Sequence, residues 1–124
     1  MKNGEKTEET SVKIPNSVKR IGENAFGGCR GLTSVTIPNG VTSIGNAAFL
    51  HCKSLISVTI PNSVTSIESD AFIWCMNLKS ITFDGTKEQW NNIEKIDSWD
   101  FRTCEYLVHC TDGDIHIVYY SSKI

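Results

Sequence analysis

Apolar and polar residues recur along this chain with a period of 23 positions. The stretch "SVTIPNGVTSIGNAAFLHC" at 34–52 returns as "SVTIPNSVTSIESDAFIWC" at 57–75, and "SVKIPNSVKRIGENAFGGC" at 11–29 is a third version. A fixed period of about 20 to 50 residues is typical of stacked supersecondary units, each of which buries its apolar side against the next. The pattern therefore predicts a solenoid.

Each repeat carries signals for two short strands and two turns. "SVTI" alternates polar and apolar residues, which predicts a strand with Val and Ile inward and Ser and Thr outward. The proline that follows ends the strand because it lacks an N–H for the ladder, and "PN" is turn chemistry. "VTSI" predicts a second extended piece. "AFxxC" predicts a single helical or 3₁₀ turn with Ala, Phe and Cys on one side.

Twenty-six inward positions between 12 and 83 are predicted to form one continuous core. They fall into eight columns: Val12, Val35, Val58 and Ile81; Ile14, Ile37, Ile60 and Phe83; Val18, Val41 and Val64; Ile21, Ile44 and Ile67; Ala25, Ala48 and Ala71; Phe26, Phe49 and Phe72; Cys29, Cys52 and Cys75; Leu32, Leu55 and Leu78. At about 1.5–3 kcal/mol for each fully buried large side chain, this core is the main term that offsets chain entropy.

The shared pattern C-x-x-L-x-S-V-T-I-P-x-x-V-x-x-I-x-x-x-A-F resembles the BspA-like, Treponema-type leucine-rich repeats over residues 11–83. A looser likeness continues through "FDGTKEQWNNIEKIDSWDFRTCEYLVHCTDGDI" at 83–115, which is similar to the segment that closes such arrays. The resemblance implies a β-rich α/β solenoid, namely a short right-handed leucine-rich-repeat array. It also implies an extracellular or cell-surface protein that takes part in adhesion and protein binding.

The repeat breaks after position 83, and a different set of signals predicts a C-terminal cap at 84–124. Thr86 stands three residues before Gln89, which is a capping-box signature, and a helix is expected at 87–95. Two strands are expected at 106–110 and 115–120, joined by a turn at Asp112-Gly113. The cap is therefore a helix plus a β-hairpin, after three full repeats and a closing strand at 11–83.

The first ten residues are polar and are expected to form a disordered tail. The first repeat carries Lys13, Lys19 and Arg20 where the later repeats have Ser or Thr. Charged residues blunt an exposed strand edge, so we interpret this end as a natural edge of the array. Self-association through the same edge is the alternative, and the oligomeric state is left as monomer or edge-mediated assembly.

Composition and charge narrow the function classes. The chain has 124 residues, 40% hydrophobic content and a net charge of -2. No apolar run approaches the ~20 residues that span a bilayer, and "MKNGEKTEET" lacks the apolar stretch of a secretory signal. Residues 11–83 carry six bases against three acids, without a dense basic stripe. We therefore expect neither membrane insertion nor nucleic-acid binding.

The candidate chemistry is sparse. Cys29, Cys52 and Cys75 share an inward column and are expected to be inert buried thiols. Cys104 and Cys110 are close enough in sequence to pair. His109 and His116 could face each other across the hairpin beside Asp112 and Asp114, either as a weak metal or acid/base cluster or as an ordinary polar tip, which we favour. Neither C-x-x-C pairs nor a known catalytic motif occur, so we expect no metal, no cofactor and no enzymatic activity.

Two surface features remain as candidate binding sites. Outward residues of the strands form a ladder that could bind a partner, although Ser and Thr also simply suit a solvated strand face. The predicted binding face consists of Lys13, Ser34, Thr36, Ser57, Thr59, Ser80 and Thr82. On the other side, Gly28, His51 and Trp74 share a column whose growing apolarity favours contact with the cap over an exposed patch.

The sequence thus predicts a non-enzymatic protein-binding or adhesion module whose partner is a protein or a glycan. A purely structural unit that terminates a longer array is the alternative. A third hypothesis is a binder of a repetitive polysaccharide or ice lattice, because the strand spacing is about 4.8 Å, but curvature of the sheet argues against a flat lattice.

Overall fold

The structure is a computed structural model in which residues 10–100, 103 and 105–118 are described. These residues form a strand-rich solenoid of about four turns with one short helix. The β-rich solenoid expected from the sequence is therefore confirmed. No helix in the described part of the chain is long and apolar enough to cross a membrane.

Two sheets line the solenoid. The larger sheet has six strands, which lie side by side in the order β1 (Thr10–Lys13), β3 (Leu32–Thr36), β5 (Ser57–Pro61), β7 (Ser80–Asp84), β9 (Tyr106–Cys110) and β10 (Gly113–Ile117). The smaller sheet has four two-residue strands, in the order β2 (Arg20–Ile21), β4 (Ser43–Ile44), β6 (Ser66–Ile67) and β8 (Glu94–Lys95). All neighbours pair in parallel except β9 and β10, which form the antiparallel hairpin.

The strand pairing follows the 23-residue period. Ser34 lies opposite Ser57 and Thr36 opposite Thr59, so identical residues of successive coils are direct neighbours. Backbone hydrogen bonds repeat in the same way at the turns, where the Phe26 N–H donates to the Ala48 carbonyl. Every coil therefore presents the same columns to its neighbour.

The core lies where the columns predict it in the second and third coils. Phe49 and Phe72 are fully buried, and Phe49 stacks on both neighbours, with ring centroids 5.2 Å from Phe26 and 5.0 Å from Phe72. The first coil differs: Phe26 is only partly buried and Ala25 is exposed. The prediction of a uniform core was wrong there, because β1 and β2 each pair with a neighbour on one side of their sheet.

Helix α1 spans Lys87–Asn92 and begins with the predicted capping box. The Thr86 side chain accepts from the Gln89 N–H at 3.1 Å, and the Gln89 side chain accepts from the Thr86 N–H at 2.9 Å. The helix ends three residues earlier than expected. The reason is that the Glu94 N–H donates to the Thr65 carbonyl, which draws this segment into β8 and the smaller sheet.

The coil pattern continues into the predicted cap. The Ile96 N–H donates to the Ile67 carbonyl, and the Phe72 N–H donates to the Trp99 carbonyl, as equivalent groups do in earlier coils. The segment after residue 83 is thus a fourth coil that contains α1. Where the repeats end and the cap begins stays an interpretation, since the ladders cross the proposed boundary.

The hairpin and the N-terminus differ in detail from the prediction. Gly113 pairs with Cys110, so Thr111 and Asp112 form the turn, and β10 begins two residues earlier than expected. Gly113 has φ +135°, which suits glycine. Residues 119 and 120, expected in this strand, lie outside the described residues. So do residues 1–9 of the expected tail, whereas Thr10 pairs with Leu32 in β1.

Candidate binding face

The seven residues predicted to bind a partner all lie on the outward face of the larger sheet. Successive residues of a strand point to opposite sides, and Val35, Val58 and Ile81 of the same strands are buried in the core. Lys13, Thr36 and Thr82 are exposed, while Ser34, Ser57, Thr59 and Ser80 are partly exposed. The strand pairing thus brings the predicted set together, and its binding role stays a prediction.

The outward residues of the larger sheet form two rows, which we call the threonine row and the serine row. The hairpin extends both rows with residue types that the repeats lack. The threonine row runs across six strands: Lys13, Thr36, Thr59, Thr82, His109 and Asp114. The serine row runs in parallel: Ser11, Ser34, Ser57, Ser80, Leu107 and His116. A uniform hydroxyl face therefore becomes charged and mixed at its C-terminal end.

The histidines of the hairpin pair with carboxylates and not with each other. His109 Nδ1 lies 2.9 Å from Asp114 Oδ1, and His116 Nε2 lies 3.4 Å from Glu105 Oε1. Asp112 faces elsewhere, since its Oδ1 accepts from the Lys87 N–H at 2.9 Å. No group of three potential metal ligands occurs among the described residues. The sequence alone does not predict the contact of His109 with Asp114, because the two residues lie opposite each other only in the hairpin register that the structure shows.

A groove of about 500 Å³ runs along the threonine row at the C-terminal ends of the strands. One side is formed by the threonines and the other by the prolines and asparagines of the following turns. Its lining extends from Asn16, in the turn after β1, to His109, Cys110 and Thr111 at the hairpin. The groove therefore has one end at the first coil and the other at the hairpin, which we call the hairpin end.

The hairpin end of the groove carries a carboxylate. Asp84 lines it directly, at the position that proline occupies in the preceding coil. Burial raises the pKa of the Cys110 thiol, and the nearby carboxylate of Asp112 raises it further, while the ammonium of Lys87 opposes that effect. Negative charge thus dominates around this thiol.

The hairpin is anchored by polar contacts in the fourth coil. The Tyr106 hydroxyl, at the start of β9, donates to Asp100 Oδ2 at 2.7 Å. Burial raises the pKa of the Asp100 carboxyl, although the hydrogen bond from Tyr106 works in the opposite direction. Burial lowers the pKa of Lys95, whose ammonium lies 4.8 Å from the centre of the Trp90 ring. The Tyr106–Asp100 contact holds the start of β9 against the fourth coil and so positions the hairpin end of the groove.

The cysteine column is structural, with one correction. Cys52 and Cys75 are fully buried, and each thiol lies 3.1 Å from a phenylalanine carbonyl of the preceding coil, to which it donates. The Cys52 thiol and burial both raise the pKa of Cys75. Cys29 is only partly buried, so the expectation of three equally enclosed thiols was wrong at the first coil. The sequence left open whether Cys104 pairs with Cys110; Cys104 lies outside the described residues, and Cys110 is a free thiol.

The column on the opposite side of the solenoid is partly exposed among the described residues. Trp74 remains 37% exposed and its ring lies edge-on to His51 at 6.0 Å. The contact between core and fourth coil is made at Phe72, which meets Trp99 edge-on at 6.1 Å. Contact of this column with the cap, expected from its growing apolarity, stays a prediction.

The family model for the BspA type leucine rich repeat region matches residues 5–117, with six copies. The chain belongs to this family. Members of the leucine-rich-repeat family are generally non-enzymatic binding modules. No curated protein matches the chain.

Two solved structures are similar to this family member. A leucine-rich-repeat protein of T. pallidum is 21% identical, with a TM-score of 0.59 over 75% of this chain and 56% of that one. It supports the fold. A leucine-rich cell-surface protein of Faecalibacterium prausnitzii A2-165 is 29% identical, with a TM-score of 0.47 over 70% of this chain and 35% of that one. The chain thus corresponds to about half or less of either protein.

Proposed function

We propose that this protein is a non-enzymatic protein-binding module that holds its partner on the outward face of the larger sheet. The observation that carries the proposal is the threonine row, in which like side chains of successive coils lie side by side along a groove. Such a face can form many modest hydrogen bonds, each worth about 0.5–1.5 kcal/mol net. Membership of the BspA type leucine-rich-repeat family supports the protein-binding role.

The face suits a protein partner better than a lattice. Its threonine row is not uniform, because it begins at a lysine and ends at a histidine–aspartate pair. A repetitive lattice would match identical groups at every step, whereas a folded or extended polypeptide can match a graded surface. A glycan partner is tested in the same experiment.

The test is binding to a panel of immobilised matrix proteins and glycans, measured by biolayer interferometry. The triple variant Lys13→Glu/Thr36→Glu/Thr59→Glu should abolish binding of at least one protein partner, because it places carboxylates along the row. A matched control, Arg20→Glu/Thr42→Glu/Thr65→Glu, makes the same charge change at exposed positions beside or within the smaller sheet. The control should bind as the unaltered protein does.

Three results would contradict the proposal. Saturable binding to nothing in the panel would remove the binding function. Binding to glycans alone would change the partner class. Normal binding by the triple variant, together with loss in Trp74→Ala, would move the site to the opposite side of the solenoid.

The packing of the fourth coil supports a second candidate function, namely the termination of a stack of repeats. Trp99 covers the last phenylalanine of the stacked column edge-on, and Trp90 meets both Phe83 and Trp99 edge-on. Rings turned across the stack offer no continuing face to a further coil. If this is the function, fusing residues 84–124 after another array of the family should raise its urea midpoint, while the intact protein binds no partner.

A further inference from the structure

The groove is electrically asymmetric along its length. Its titratable lining residues within the described part of the chain are Asp84, His109 and Cys110, all at the hairpin end. Lys13 starts the threonine row at the opposite end and is exposed. A ligand lying along the row therefore meets a positive group at β1 and, three strands away, the carboxylate of Asp84, which follows Thr82 by two residues on β7.

Asp84 is the carboxylate available to a ligand. Asp114 is engaged by His109, and Asp112 accepts from the Lys87 N–H. Asp84 is exposed, and its carboxylate has no hydrogen-bond or ion-pair partner among the described residues. A cation that enters the hairpin end thus finds one carboxylate whose hydrogen-bonding capacity is not used inside the protein.

The length of the groove sets the length of its ligand. From β1 to β9 the sheet has four steps between strands, which at about 4.8 Å each give about 19 Å. An extended polypeptide advances about 3.3 Å per residue, so about six residues fill this distance. The threonine hydroxyls that line the groove can both donate to and accept from a peptide backbone.

We propose that the groove binds an extended peptide segment of about six residues, with a Lys or Arg side chain at Asp84 and an acidic group near Lys13. The inference rests on the proposed protein-binding function and gives it a partner chemistry. Opposite charges at the two ends also fix the direction in which the segment lies, because the reversed segment would place like charges together. A neutral glycan has no groups that could use this asymmetry.

The probe is a displayed library of random hexapeptides selected on the immobilised protein, followed by fluorescence anisotropy with the enriched peptides. We expect a Lys or Arg to be enriched at one end and Asp or Glu at the other. Asp84→Asn should weaken binding about fivefold, the effect of losing one partly solvated ion pair. Asp97→Asn removes an exposed carboxylate outside the groove lining and should leave the affinity unchanged.

A second variant tests the location independently of charge. Thr59→Tyr places a ring in the middle of the groove on a strand that favours aromatic residues, and it should abolish peptide binding while the melting temperature stays within a few degrees. Peptides that need an open Thr59 but ignore Asp84→Asn would overturn the charge assignment and leave the binding face intact. Failure to enrich any peptide, with a protein captured from the matrix panel, would overturn this inference alone. Equal binding to Thr59→Tyr would overturn the groove as the peptide site.

Discussion

Replacing Phe49 by alanine should cost far more stability than the same change at Phe26, although the two residues occupy the same column. Phe49 is fully buried and stacks on a ring in each neighbouring coil, with interplanar angles of 3° and 11°. Phe26 is partly buried and stacks on one ring only among the described residues. The pair therefore compares the inside of the array with its edge while the chemistry stays constant.

The magnitudes follow from burial and ring contacts. A buried Phe→Ala change costs about 3–5 kcal/mol, including the cavity it leaves. Each stacked pair adds about 0.5–1.5 kcal/mol beyond the buried area, which places Phe49→Ala toward the upper part of that range. At the edge, where one stack and part of the burial are lost, we expect about 2 kcal/mol for Phe26→Ala. The difference between the two positions should thus be about 2 kcal/mol or more.

The assay is urea unfolding followed by circular dichroism. With a slope of about 1–3 kcal/mol per molar urea, the central substitution should lower the midpoint by about 1.5 to 4 M, and the edge substitution by about half as much. Since a small domain is stable by only about 5–15 kcal/mol, Phe49→Leu provides a milder variant that keeps most of the volume. Equal losses at the two positions, or an unchanged midpoint for Phe49→Ala, would refute the stacked column.

Three further predictions concern single side chains. Thr86→Ala should lower the free energy of unfolding by about 1 kcal/mol in urea titrations, because it removes the N-cap of α1; no change would mean that the helix does not depend on its capping box. Asp100→Asn should raise the urea midpoint above that of the unaltered protein once the pH exceeds about 4. The reason is that burial raises the folded-state pKa of the Asp100 carboxyl, so that its ionised form opposes folding. A difference in urea midpoint that does not change with pH would contradict this. In native protein a thiol reagent should label Cys29 well before Cys52 and Cys75, which denaturant should then expose; early labelling of Cys75 would contradict the buried column.

The repeating coils could be predicted because the residues of each column have the same packing role in every coil. An apolar residue recurs every 23 positions wherever the side chain meets the next coil, so the period reports both the strands and the core. What failed was the first coil. Ala25 and Phe26 have the core residue types but lie at an edge, and the sequence pattern alone does not distinguish a column's end from its middle.

The fourth coil was hidden by an insertion. Glu68 bonds to the carbonyl of Ile44, 24 residues earlier, whereas Ile96 bonds to that of Ile67, 29 residues earlier, so α1 lengthens this coil by five residues. Trp99 also takes over the contact with the phenylalanine column, but edge-on. The sequence therefore shows a break in the period where the backbone ladders continue.

The candidate binding face could likewise be predicted only in part from the sequence. The seven residues of the ladder follow from alternation within strands, and all of them point outward together. The charged end of the threonine row could not be predicted from this alternation. The contact of His109 with Asp114 depends on the register of the hairpin, whose second strand begins two residues earlier than the sequence suggested. The groove itself is a property of how strand ends, turns and hairpin meet, and no local pattern encodes it.

Mapping a bound partner by NMR tests most directly whether the outward face of the larger sheet is the binding surface. Amide shifts of ¹⁵N-labelled protein would be recorded during titration with a peptide or protein obtained from the selections described above. The account predicts changes concentrated at residues 34–36, 57–59, 80–84 and 107–114, with little change on the opposite turns. Changes concentrated at 47–51 and 70–76, around Trp74, would contradict it.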